Sequence, residues 1–195
     1  MKMRGWGGWL VLVLLCGRGW SDPAQPEGSV YDLASSWTDQ QGRAVQLADL
    51  KGRPRVVAMF FSQCTFACPR ITADLKRLEA GLSESQRARV GFVLVSFDVR
   101  RDDPAALRDF AQRMDLPGER WTLLHGGEDE VRELAAVLGV RYRPEGDGFA
   151  HANIITLLDA EGRLVAQREG LDSSLEGFSA RLQALTERTD SASAP

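Results

Sequence analysis

Two stretches of the chain, RVVAMFF at residues 55–61 and RVGFVLVSF at residues 89–97, run almost without a polar residue. A strand with one wet face alternates apolar and polar side chains, whereas a strand covered on both faces reads as a short unbroken apolar run. Both stretches therefore predict strands buried on both faces, as in a parallel sheet. Between them Ile71, Leu75, Leu78 and Leu82 recur at helical spacing with Arg, Lys and Glu in the gaps.

The alternation continues to the end of the chain. DDPAALRDFAQRM predicts a second helix with Asp103 as N-cap and Pro104 in its first position. Leu107, Phe110, Ala111 and Met114 form its apolar stripe, with Met114 read as core. WTLLH, residues 121–125, is a short strand, and GEDEVRELAAVLGV is a helix with acidic residues at its start and Gly139 at its stop. HANIITLLDAEGRLVAQREG reads as strand, tight turn at Glu161-Gly162, and strand. DSSLEGFSARLQALTER closes the pattern with an amphipathic helix on Leu175, Phe178, Leu182 and Leu185. Upstream, the segment from Tyr31 to Pro54 carries turn signals at Gly42 and Gly52 and predicts a short hairpin. From the first apolar run onward the order is β-α-β-α-β-α-β-β-α, which implies an α/β layered fold. A terminal antiparallel hairpin with a last helix is the thioredoxin-like arrangement, a central mixed β-sheet flanked by helices. A chain of 195 residues suits one such domain.

The N-terminus reads as targeting rather than fold. Lys2 and Arg4 precede an apolar run from Trp9 to Cys16, and Gly17, Gly19 and Ser21 follow. This is a secretory signal pattern, and the run is short of the roughly 20 apolar residues of a membrane helix. Lipid attachment at Cys16 and an uncleaved anchor are the alternatives. The expected layout is a signal peptide or membrane anchor over residues 1–21, a linker over 22–28, the folded domain over 29–188 and a disordered tail over 189–195. The chain is expected to be exported to the bacterial periplasm, with membrane association through the N-terminus. A net charge of −3 offers no basic surface for nucleic acid.

If Cys16 leaves with the signal, two cysteines remain, Cys64 and Cys68 in FFSQCTFACP. A disulfide closing so small a loop constrains the unfolded chain little, so chemistry is the better reason for the pair. Pro69 disfavours helical dihedrals at Cys68 and suits the first turn of the helix that follows. That puts Cys68 at the helix start and Cys64 in the loop before it. A helix N-terminus favours thiolate, so both sulfurs are expected to be reactive and partly exposed. Three residues separate the cysteines, one more than in C-x-x-C, which lets the sulfurs spread around an ion. Two thiolates are soft ligands that suit Cu(I) or Zn(II), and they need a third donor. His151 opens the hairpin strand after a glycine-rich loop, RPEGDGFA, that could swing, and a thioredoxin-like sheet brings this hairpin near the thiols. His125 in LLHGG reads as an exposed or half-buried loop histidine. Spacing alone leaves the ligation of His151 open.

Three segments together resemble the Sco/SenC copper chaperones of cytochrome oxidase assembly, over roughly residues 29–187. FFSQCTFACPRIT resembles the family's C-x-x-x-C-P motif after an apolar strand. SFDVRRDDP matches its S-x-D-P-x-R-D-T-P segment at Ser96, Asp98, Arg101, Asp102 and Pro104. FAHANIITLLDAEGRLV resembles the segment that holds its ligand histidine. The resemblance implies a copper site of Cys64, Cys68 and His151 around Cu(I), or Cu(II) with an added ligand. It also implies a copper-bearing subunit of cytochrome c oxidase, or another copper or thiol partner, as recipient. The chain departs from the family at Val99, Asp103 and Ala150, and lacks its upstream D-Y; these positions bear on partner contacts and on tuning, not on the ligands. Asp98 reads either as an acceptor that orients His151 or Arg101 or as a turn cap, and Asp102 as a helix cap or ion-pair partner.

Three functions follow from the same residues. A metallochaperone uses the two sulfurs and His151 to carry copper. A periplasmic thiol-disulfide oxidoreductase uses Cys64 and Cys68 as its catalytic pair and needs no histidine. A structural zinc site needs a fourth ligand, with Glu145 or Asp147 as the candidates.

Overall fold

Both apolar runs become strands without an exposed residue. The computed structural model describes residues 28–171 and 173–191. The signal or anchor, nearly all of the linker and the last four residues lie outside the described residues. In chain order the elements are β1 (Ser36–Asp39), β2 (Ala44–Gln46), β3 (Arg55–Phe60), α1 (Ala67–Ala80), α2 (Glu84–Ala88), β4 (Gly91–Ser96), α3 (Pro104–Arg113), β5 (Trp121–Gly126), α4 (Glu128–Val137), β6 (Tyr142–Glu145), β7 (Gly148–His151), β8 (Ile154–Leu158), β9 (Leu164–Glu169) and α5 (Glu176–Ser191). Every residue of β3 and β4 is buried.

Seven strands form one mixed sheet in the order β2-β1-β5-β4-β3-β8-β9. The centre is parallel, with β4 between β3 and β5. β1 joins β5 antiparallel, β8 joins β3 antiparallel, and β9 closes the hairpin with β8. This is the expected mixed sheet with helices packed on it. Ile71, Leu75 and Leu78 of α1, Leu107 and Phe110 of α3, Val131 and Leu134 of α4, and Phe178 and Leu182 of α5 are buried against it. Each such side chain contributes about 1.5–3 kcal/mol of burial. Phe92 stacks on Trp121 at 4.7 Å, and Phe60 meets Phe110 at the same separation.

The helix caps follow the sequence. Asp103 accepts the Ala106 N–H at 2.8 Å and Pro104 starts α3. The Glu161-Gly162 turn stands between β8 and β9; Gly162 has φ +83° and packs so close to Tyr31 that a Cβ would lie 2.4 Å from its ring. A substitution there strains the turn and the packing together.

Four expectations change. His151 does not open the terminal hairpin. It ends β7, which pairs with β6 in a separate two-stranded sheet, and Ala152-Asn153 lead on to β8. The glycine-rich loop is accordingly the turn of an ordered hairpin, Gly146 taking its positive φ. Cys68 is helical, as the second residue of α1: Pro69 lies within the first turn, where its missing N–H costs no bond. Finally, α5 runs through Ser191, into the segment read as tail.

Among the described residues, one ion pair is buried on both sides. Asp74 of α1, 1% exposed, meets Arg168 of β9, 5% exposed, at 2.8 Å. The more exposed Arg77 also pairs with Asp74. Arg168 further donates to the carbonyls of Leu171 and Ser173, at 2.9 and 2.8 Å. The pair joins the helix that carries Cys68 to the edge strand β9 of the sheet.

Candidate metal centre

The end of β3 delivers the chain to the thiols. Phe61 is buried, its carbonyl accepts the Cys64 N–H at 3.2 Å, and α1 begins at Ala67. No side chain caps α1 at Phe66. The Cys64 sulfur takes that part, accepting the Cys68 N–H at 3.3 Å. The amides of the helix start therefore serve the loop cysteine rather than the helical one.

The two thiols differ, against the expectation that both are partly exposed. Cys64 is partly exposed and Cys68 is fully buried. The Cys68 thiol donates to the Cys64 sulfur, and this bond is the main cause that drives Cys64 down to about 3; bonds from the His151 ring and from the Cys68 and Phe66 N–H groups act the same way, against burial. That same bond, then burial, push Cys68 up, so Cys68 keeps its proton. An alkylating reagent on reduced protein should therefore add once, at Cys64, at a rate nearly flat from pH 5 to 8. An ordinary thiol gains about tenfold per pH unit in that range. Mass spectrometry of the adducts across pH checks this; a tenfold-per-unit rise, or equal labelling of both cysteines, would refute it.

His151 reaches the pair from the end of β7. The sulfurs of Cys64 and Cys68 and a ring nitrogen of His151 all lie within 4.8 Å of one another. Three donors about 2.3 Å from one ion stand about 4 Å apart in a trigonal site, so small side-chain adjustments close the set on a metal. His151 Nδ1 lies 3.2 Å from the Ala152 carbonyl, which can only accept. Nδ1 therefore carries a proton, and Nε2 is the nitrogen left for a metal. The ring packs on aromatic neighbours, 4.9 Å from Phe97 and 6.3 Å from Phe61. Phe149 touches both phenylalanines, Tyr142 stacks on Phe97 at 5.3 Å, and Gly148 admits the edge of Phe61. The sequence places Phe61 and Phe97 in buried strands and Phe149 in the glycine-rich loop, and singles out no role for Tyr142. Their signal was position: Phe61 and Phe97 each end a buried run.

Among the described residues, the remaining candidates do not join the three converging donors. Asp98 is buried, and its Oδ2 accepts from Arg101 Nε at 2.5 Å, so it orients Arg101. Asp102 caps no helix. It is fully buried and accepts from the N–H and Oγ of Ser62 and from Ser96 Oγ, joining the ends of β3 and β4 beneath the site. His125 sits half-buried in β5. Neither Glu145 nor Asp147 joins the converging donors among the described residues. Glu145 pairs with Arg143 at 2.7 Å. Phe66, between the cysteines, is 63% exposed, with the Arg70 guanidinium 4.3 Å over its ring.

The comparisons with known proteins agree with this layout. The SCO1/SenC family model matches residues 23–187. A SCO1 protein homolog of Bacillus subtilis (strain 168) is 26% identical over 172 residues, covering 85% of this chain and 86% of the relative. The structure of Bradyrhizobium japonicum ScoI with copper bound superposes with a TM-score of 0.66 at 25% identity, covering 77% of this chain and 96% of ScoI. BsSco, a member of the Sco family of cytochrome c oxidase assembly proteins, superposes with a TM-score of 0.67 at 24% identity, covering 77% of this chain and 91% of its own. With the family model spanning the folded region from the linker to α5, this chain belongs to the SCO1/SenC family.

Proposed function

We propose that this protein is a copper-binding metallochaperone. It holds copper through Cys64, Cys68 and His151 and delivers it to the copper centre of cytochrome c oxidase. The observation that carries the reading is the convergence of two sulfurs and one imidazole nitrogen within 4.8 Å. Two soft sulfurs and one imidazole suit Cu(I), and an added ligand completes the set for Cu(II). Family membership and the copper-bound relative ScoI support the choice of metal, and the role of BsSco's family in oxidase assembly supports the recipient. The protein works outside the cytoplasm, tethered or released through residues 1–21. Among the described residues no helix is long and apolar enough to cross a membrane.

Titrating reduced protein with Cu(I) under a competing chelator tests the reading. One tightly held copper per chain is expected, with both thiols protected from alkylation while it is bound. Copper surrendered to the chelator at every ratio would end the proposal. Transfer is read separately, by mixing the loaded protein with an isolated copper-bearing oxidase subunit.

The unequal thiols favour a second reading, a thiol-disulfide oxidoreductase. The Cys64 thiolate would attack a disulfide sulfur of a target, releasing one target thiolate and leaving a mixed disulfide. Cys68 would then give up its proton and attack Cys64, releasing the second target thiolate. Two electrons pass to the target, and a Cys64–Cys68 disulfide remains. This route needs no His151, so reductase activity that survives His151→Ala would favour it.

A further inference from the structure

The hairpin that carries His151 is weakly tied to the rest of the fold. β6 and β7 pair only with each other and join neither edge of the main sheet. A lone two-stranded hairpin is marginal in water, so its position depends on what holds it. At the site end the His151 ring stands beside the two sulfurs. At the opposite end, among the described residues, one hydrogen bond reaches the hairpin from the body of the protein: Arg101 Nη1 donates to the carbonyl of Asp147 in the turn, at 2.7 Å.

The ground under that turn is open. A cleft of about 470 Å³ lies there, its wall including Phe97, Arg101, Tyr142, Gly146, Asp147 and Phe149. Aromatic packing grips the strands near His151, but the turn overhangs empty space. Arg101 supplies from a distance the hold that packing does not.

Arg101 is itself aimed. Its Nε donates to Asp98 Oδ2, at 2.5 Å, and Asp98 is 3% exposed. The Asp98 N–H donates to Ser96 Oγ at 3.0 Å, and that hydroxyl donates to the buried Asp102. A polar chain thus runs from the ends of β3 and β4, through Asp98 and Arg101, to the hairpin turn. One planar guanidinium makes both outer contacts in fixed directions, which a lysine ammonium cannot reproduce.

We propose that Arg101 is a positioning residue for His151: it straps the β6–β7 turn to the sheet so that the imidazole, about 13 Å along the strand, stays on the two thiols. The proposal rests on reading Cys64, Cys68 and His151 as the copper ligands. Losing the strap leaves the aromatic contacts in place, so the fold survives while the hairpin opens more often and the third ligand is presented less often.

Amide hydrogen exchange on metal-free, reduced protein tests the strap directly. Arg101→Ala is expected to speed exchange across residues 142–151 about tenfold or more, with the amides of β3 and β4 unchanged. Arg101→Lys keeps a cation beside buried Asp98 but loses the fork, so it should hold the thermal midpoint and still speed exchange in the hairpin. Unchanged hairpin exchange in a folded variant would overturn the proposal. Chelator competition for Cu(I) gives the second readout. Arg101→Ala should cost about 10–100-fold in affinity, and should cost almost nothing further when His151 is already alanine. An equal loss in both backgrounds would show that Arg101 does not act through His151. If wild-type protein retains no copper, the copper reading fails, while the exchange result still decides the strap.

Discussion

His151→Ala is expected to lower Cu(I) affinity by about two orders of magnitude or more while the protein stays folded. The affinity loss follows from removing one of three donors, since changes in the surroundings of a ligand already cost 10–100-fold. The fold should persist because His151 ends a half-buried strand and contributes no core side chain. Its loss leaves a gap only against Phe61 and Phe97. Chelator competition on reduced protein, with circular dichroism on the same sample, checks both halves. Copper held as tightly as in wild type would remove His151 from the ligand set and leave a two-thiolate site. Cys64→Ser should be more severe still, because it removes the partly exposed thiolate that meets an incoming ion first.

The second large effect is on stability. Asp74→Asn is expected to destabilise the protein by about 3–5 kcal/mol, because it leaves the Arg168 charge buried and unpaired. For a domain of this size that lowers the thermal midpoint by about 6–20 °C. The exposed Arg77 cannot compensate, because it is a second cation on the same carboxylate and offers Arg168 no counter-charge. Replacing both members, Asp74→Leu with Arg168→Met, should cost less than Asp74→Asn alone, as apolar pairs often match buried ion pairs. It will not recover everything, because Arg168 also holds the carbonyls of Leu171 and Ser173. Urea unfolding of wild type and the two variants measures this. An Asp74→Asn protein within about 1 kcal/mol of wild type would refute the buried-pair account.

The elements were legible because their signals are local. The unbroken runs at 55–61 and 89–97 fit strands covered on both faces. The caps Asp103 and Pro104 and the Glu161-Gly162 turn act within a few residues of themselves. Asp74 was not legible, since its position in α1 carries no sign of an arginine 94 positions away on β9. The aromatic surround of His151 was missed for a similar reason. Phe61, Phe97, Tyr142 and Phe149 lie in three separate stretches, and only the sheet brings their rings together.

The sequence by itself determined the layered α/β class, the thiol pair at the start of a helix, and the choice of His151 over His125. The first two rest on residue type and short-range spacing, and the choice of His151 rests on the resemblance to the Sco/SenC family, since spacing alone leaves it open. Only the tertiary structure decided that the thiols are unequal, with Cys64 the thiolate and Cys68 the protonated, buried donor. That inequality depends on where each sulfur points and on which amides face it, and spacing specifies neither. Tertiary structure likewise decided how His151 is held. Its strand pairs outside the main sheet, and its turn is fastened by a guanidinium from a distant loop. Both are long-range contacts whose energy exists only once the chain has closed.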